Sequence, residues 1–336
     1  MMFFKPIALG LAVGAALAIS GTASSQERVR MPTSQPGTIV HTVASAISSV
    51  VSQKSDRTML ITPMAGPQIY IPQLNNGQGE FSLINAADGH EALRGGEGYA
   101  TPLSNLRLVA VGFTNELGVL VRRDSDIHTA DDLKGRRVSG VFSAHKTCEM
   151  LANAQLANLG LTWDEVRVVP VTHSRTAVEA LAEGRVDAAM CIPLGQAIVQ
   201  ETNAQTPIRF ISLNDSEEAA GRARAEFPAG EVRHYESGSH VGVIDPVNVW
   251  SYPFYLITHA DAPEDLVYSV AEIVSDNIED LRGISGVFNR WHPEQMIDAQ
   301  ITLPVHDGAI RFFEERGLWN EAIEAAHERN LSDSQH

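Results

Sequence analysis

Residues 138–148 read VSGVFSAHKTC. A β-type run over 138–142 gives way, through a short polar loop, to TCEMLANAQLANLG over 147–160. There Leu151, Leu156 and Leu159 share one helical face and Gly160 supplies a C-terminal stop. The local order is strand, loop, helix. The first turn of such a helix carries N–H groups without intrahelical partners and a partial positive charge, and His145 and Lys146 stand just before it. A small anion is well matched to that position.

The same order recurs on both sides. Upstream, RVRM (28–31) reads as a strand ending in PTSQPG, followed by the helical TIVHTVASAISSVVSQ (38–53). RTMLITPMAGP (57–67) gives a strand with a Pro/Gly loop, QIYIPQLNNGQ (68–78) a short helix, and EFSLINAADGHEALRGG (80–96) a strand leading into a helix. Downstream, VRVVPVTH (166–173), SRTAVEALAEG (174–184) and RVDAAMCIP (185–193) continue strand, helix, strand. This βα alternation predicts an α/β fold, with a mostly parallel sheet covered by helices and arranged as two similar lobes. Two long strand-like passages, LRLVAVGFTNELGVLVRRDSDI (106–127) and VNVWSYPFYLITHADAP (247–263), are the candidate crossings between lobes and candidate hinges. The first reads as two apolar runs flanking TNELG. From Ala262 onward the chain is helical, with PEDLVYSVAEIVSDNIEDLRGI (263–284) and HDGAIRFFEERGLWNEAIEAAHERN (306–330) in three-to-four spacing. The lobes are expected at 24–117 plus 256–336 and at 118–255.

Residues 1–26 combine Lys5, an apolar run over 7–19 and a patch of small residues. They read as a secretory leader, 1–23, cleaved after Ala23, which places the protein in the periplasm, without membrane insertion after cleavage. The alternative is an uncleaved anchor, for which the apolar run is short. A chain of 336 residues is long for one compact core. Its formal net charge of -16 argues against nucleic acid or an anionic membrane as the main partner. Binding of an anion must come from a few placed groups.

Ligands of two-lobed α/β proteins gather where strand ends and helix first turns face a cleft. The loops after strands are therefore the candidates: 32–38, 63–67, 85–89, 143–147, 172–176 and 192–195. Ser34 and Thr38 offer hydroxyls, Asn85 an amide, and Gly37 and Gly66 close backbone approach. In the second half His145, Lys146 and Thr147 stand before and in a helix first turn, and Pro193 closes a strand. TADDLKGRRV (129–138) reads as a structural turn, with Thr129 capping a short helix and Gly135 ending it. The twelve histidines show no HxxxH pair, neither cysteine lies in a CxxC, and the phosphate-binding, dinucleotide and nucleophile-elbow motifs are missing. No metal, cofactor or catalytic residue is expected. Cys148 and Cys191 leave three readings open: a disulfide, two buried free thiols, or a nucleophilic Cys148 activated by His145 and the helix end.

The ordered set DSDIHTADDLKGRRVSG (124–140), AVEALAEGRVDAAMCIPLG (177–195), SYPFYLITHADAPEDLVYSVAEIVSDNIEDL (251–281) and HDGAIRFFEERGLW (306–319) resembles the TAXI-type solute-binding receptors of tripartite ATP-independent periplasmic (TRAP) transporters. The resemblance runs from about residue 30 to about residue 325 and implies a type II periplasmic-binding-protein-like fold with a ligand cleft between two α/β lobes. It also implies a small organic anion as ligand, a carboxylate or an acidic amino acid such as glutamate, and the transporter's membrane subunits as partners. By position, the family's glycine-bearing loops fall on 34–38 and 64–67, its Gln-Ser-Asp stretch on 85–87, and its Gly-Ser-Gly-Thr loop on Ala144, His145, Lys146 and Thr147. Two departures stand out: Ile39 and Val40 replace a Tyr pair, and His-Lys replaces small residues. The added cation favours an extra carboxylate or a more strongly anionic solute. The other classes considered are a ligand-sensing module of a signalling system and a Cys-dependent enzyme on the same fold.

Overall fold

The computed structural model describes residues 1–2, 27–96, 98–143 and 146–334. The expected leader falls almost wholly on 3–26, and it and His145 lie outside the described residues. The first alternation comprises β1 (Glu27–Thr33), α1 (Ile39–Lys54), β2 (Arg57–Pro63), α2 (Pro67–Asn75), β3 (Ser82–Asn85) and α3 (Ala86–Arg94). After the long β4 (Leu106–Arg122) come β5 (Arg137–Phe142), α4 (Lys146–Asn158), β6 (Arg167–Val171), α5 (Ser174–Ala182) and β7 (Ala188–Pro193). Four elements that the sequence pattern leaves unread follow: α6 (Ala197–Gln205), β8 (Ile208–Ile211), α7 (Glu217–Glu226) and β9 (Glu231–Tyr235). Then β10 (Val247–His259) leads to α8 (Glu264–Asp276), α9 (Ile278–Ile284), α10 (Asp307–Glu315) and α11 (Glu321–Asp333).

β1 and β2 form a parallel pair. The main sheet has the order β3-β10-β4-β7-β5-β6, with β8 also on β4 and β9 also on β10. Pairing is parallel among β5, β6 and β7 and antiparallel wherever β4 or β10 takes part, so the sheet is mixed rather than mostly parallel. The reason is that β4 and β10 run against each other and impose their directions on both neighbourhoods. Each changes partners along its length. β10 pairs with β9 over 247–251 and with β3 over 254–257, while β4 holds β7 and β8 only from Leu117 onward.

TNELG does not interrupt β4. Asn115, Glu116 and Leu117 stay in register with Tyr252, Ser251 and Trp250 of β10. Its polar side chains are tolerated because each has a partner: Asn115 donates to the Tyr252 hydroxyl at 3.1 Å, and Glu116 accepts from Thr114 and Arg290. The helical stretch 263–284 is two helices, broken at Asn277, whose φ of -115° and ψ of 30° leave the helical region while its side-chain amide caps the Ile273 carbonyl at 2.8 Å. α1 turns Val43, Ala44, Ile47, Val50 and Val51 into the core, and Trp250, Trp291, Phe113 and Phe288 are among its largest fully buried side chains. Each such side chain contributes roughly 1.5–3 kcal/mol of burial. Among the described residues no helix is long and apolar enough to cross a membrane.

Candidate functional site

Two non-glycine residues, one in β5 and one in β7, hold left-handed backbone. Val141, β-branched and exposed, has φ of +49° at a bulge where the β5–β6 register shifts, and Cys191 in β7 has φ of +58°. Left-handed backbone at non-glycine residues costs on the order of 1–3 kcal/mol and persists where surrounding structure enforces it. Cys191 is also one end of a disulfide. Cys148, in the first turn of α4, is bonded to Cys191, with Cα atoms 5.5 Å apart. Both residues are buried, and neither is a thiol available for nucleophilic chemistry.

The loop ends of both alternations meet around a cavity of about 320 Å³. Ser34 after β1, Gly66 after β2, Asn85 at the end of β3, and Lys146 and Thr147 in the first turn of α4 all line it. Its volume lies at the lower end of ligand pockets, roughly 300–1,000 Å³. Three candidates lie elsewhere. Thr38 is the N-cap of α1: its hydroxyl donates to the Gln35 carbonyl at 2.9 Å and accepts from the His41 N–H at 3.2 Å. Gly37 precedes it with φ of +89°, and an added Cβ would meet nothing within 4 Å, so turn geometry rather than close approach calls for glycine there. Pro193 ends β7 opposite Leu117 and is not on the cavity wall.

The cavity has a polar end that the sequence reading did not find. Tyr70 and Asp88 line it beside Ser34 and Asn85. The Tyr70 hydroxyl lies 3.2 Å from the Leu83 carbonyl and 3.4 Å from the Ser34 hydroxyl, and burial pushes it up to about 12. Asn85 caps α3, accepting from the Asp88 N–H at 2.8 Å and donating through its amide to the Asp88 carboxyl at 2.7 Å. Burial raises Asp88 to about 6, against the stabilising Asn85 hydrogen bond. Near neutrality this carboxyl is close to its titration point. The cap-and-return spacing of Asn85 and Asp88 was a signal available in the sequence. Lys146 faces the same cavity and pairs with Glu149 at 3.1 Å across one helical turn. Val40, at a position of the replaced Tyr pair, and Phe254 of β10, stacked on Phe113 at 4.7 Å, complete an apolar wall. Among the described residues the site therefore joins the Lys146 cation, a titratable carboxyl, hydroxyl and amide groups, and helix first turns. That set suits a compact, anionic, hydrogen-bonding molecule. Among the described residues no group of His, Cys, Asp and Glu could hold a metal ion.

A family model described as the NMT1-like family matches residues 31–317, and the chain belongs to that family. Its fold is that of periplasmic solute-binding proteins. A TctC solute-binding protein from Polaromonas superposes with a TM-score of 0.57 at 13% identity, covering 93% of this chain and 99% of that one. The periplasmic aliphatic sulphonate binding protein SsuA from Escherichia coli gives 0.51 at 16% identity, covering 91% and 92%. R. palustris Rpa4515 with adipate gives 0.50 at 16%, covering 93% and 97%. At such identities the shared property is the fold.

Proposed function

We propose that the protein is an extracytoplasmic receptor that clamps a small organic anion, a carboxylate or acidic amino acid, and delivers it to the membrane subunits of a TRAP transporter. The observation that carries this reading is convergence: Ser34, Gly66, Asn85, Lys146 and Thr147, drawn from loops far apart in sequence, line one cavity. Support for an anion comes from Lys146 and the α4 first turn, and by analogy of fold from the adipate and sulphonate named for two structural neighbours. The lobes of this receptor divide near residues 117/118 and 255/256, close to where β4 takes up β7 and β8 from Leu117 onward and β10 passes from β9 to β3 between residues 251 and 254, and those strands serve as the hinge. A solute touching both lobes stabilises the closed arrangement. Cys148, held in its disulfide, takes no part as a nucleophile.

The test is thermal unfolding of the protein, stripped of carried-over solute, against carboxylates, amino acids and sugars. At one hundred times its dissociation constant a solute stabilises by about 2.7 kcal/mol, a shift of a few degrees. The expected hits are dicarboxylates or acidic amino acids, and Lys146→Met is expected to weaken them by about tenfold, the worth of one charge-assisted contact. A neutral sugar as the tight ligand, or anion affinity indifferent to Lys146→Met, would overturn the assignment of charge to this cleft.

A further inference from the structure

The reverse side of the hinge strands carries a larger cavity, of about 440 Å³, walled by β4, β9, β10 and the segment after α9. It is separate from the cleft. Ser251, Pro253 and Tyr255 of β10 line it, whereas Phe254 faces the cleft, as strand alternation requires. Ser251 stands in register with Glu116 of β4 on one side and Glu231 of β9 on the other, giving a carboxylate, hydroxyl, carboxylate row across three strands.

Two guanidiniums stand in this cavity wall. Arg290 donates to Glu116 at 2.7 Å; Arg233 donates to Glu231 at 2.7 Å and to the Thr114 hydroxyl at 3.2 Å. These bonds neutralise the arginines but use few of the five donors that each guanidinium presents. Between them Ser251 is 0% exposed, and its hydroxyl has no hydrogen-bond partner. A buried, unsatisfied hydroxyl on a polar cavity wall is an unusual expense for a folded protein. On the same cavity stand two exposed carboxylates, Asp298 and Glu294. The lining thus holds both guanidinium donors and carboxylate acceptors, while the whole chain is strongly acidic. A simple anion would meet the surrounding carboxylates unfavourably, and a simple cation would leave the arginine donors unmatched.

We propose that this cavity is a second binding site, for a small zwitterionic amino acid whose carboxylate lies against Arg233, Arg290 and Ser251 and whose ammonium faces Asp298 and Glu294. Because β10 lends Phe254 to the cleft and Ser251, Pro253 and Tyr255 to this cavity, occupancy behind the strand and occupancy of the cleft are coupled through that strand.

The experiment is calorimetric titration of the full protein with 4-aminobutyrate, and with butyrate and butylamine as partners of similar size carrying only one of its charges. All three are repeated on Lys146→Met to report on the cleft. Binding of 4-aminobutyrate is expected in both proteins, with each singly charged analogue weaker by about tenfold or more. Ser251→Ala and Asp298→Asn, which break no structural ion pair, are expected to weaken it by about 3- to 10-fold without lowering the unfolding midpoint of the unliganded protein. Absence of binding, equal binding of butyrate, or indifference to both substitutions would overturn the proposal. Binding abolished by Lys146→Met would reassign the probe to the cleft, while a failure of anion binding at the cleft leaves this test intact.

Discussion

The two faces of β4 and β10 are built by different means. The cleft face is assembled from loop ends and helix first turns belonging to both alternations, and Phe254 is the part of its wall supplied by β10. The reverse face is assembled from strand side chains and the segment after α9, braced by an ion network in which Glu116, 4% exposed, holds Arg290 at 2.7 Å and Arg233 at 3.6 Å. Loop ends are the more variable kind of wall. Side chains standing on a continuous ladder are the more fixed kind. The lesson is that β10 borders a wall of loop ends on one side and a wall braced by a strand ladder on the other.

The strongest way to break this contrast is to loosen the cleft side. Replacing both Cys148 and Cys191 by Ser opens a loop spanning 43 residues of sequence separation; chain entropy puts the loss of stability at about 4 kcal/mol, read from the urea midpoint. Solute affinity should fall as well, because the α4 first turn loses its tie to β7. On the reverse side, Glu116→Ala leaves Arg290 and Arg233 facing each other without their shared carboxylate. A cost of about 3 kcal/mol is expected, at the low end for a broken buried pair because the arginines are a third exposed. Cleft selectivity should be unchanged.

The next effect is on pH. Asp88 holds its proton up to about 6 in the folded protein, above the ordinary carboxylate value of 3.8. Its proton-linked contribution to stability is therefore fully present below the unfolded value and is lost as pH rises through about 6. The loss is on the order of 2–3 kcal/mol. Asp88→Asn should remove that slope in urea unfolding between about pH 4 and pH 7 and leave the protein more stable at neutrality. The smallest effect is expected at Thr38, where Thr38→Ala should cost about 1 kcal/mol as a lost helix cap and leave solute affinity unchanged. A large loss of affinity there would extend the cleft to the α1 cap.

The alternation of strands and helices was legible because hydrophobic period and turn residues are local properties. That was enough to bring Ser34, Gly66, Asn85, Lys146 and Thr147 to a common place. What stayed hidden depends on contacts distant in sequence. Tyr70 joins the site through the Leu83 carbonyl, and Phe254 through the alternation of a strand whose other face looks equally apolar. The continuity of β4 through TNELG rests on Arg290, 174 residues away, which no local pattern announces. β9 has a mixed, half-buried pattern, and as an edge strand on β10 it lacks the apolar run by which the inner strands were read.

The bond between Cys148 and Cys191 also decides what counts as a moving part. With it, the first turn of α4, which carries Lys146 and Thr147, and the strand that ends at Pro193 are one covalent unit. A chain folded where thiols remain reduced would have two independent parts in place of that unit. The compartment in which the protein matures thus enters its mechanics, because oxidation sets how stiffly this wall of the cavity is held.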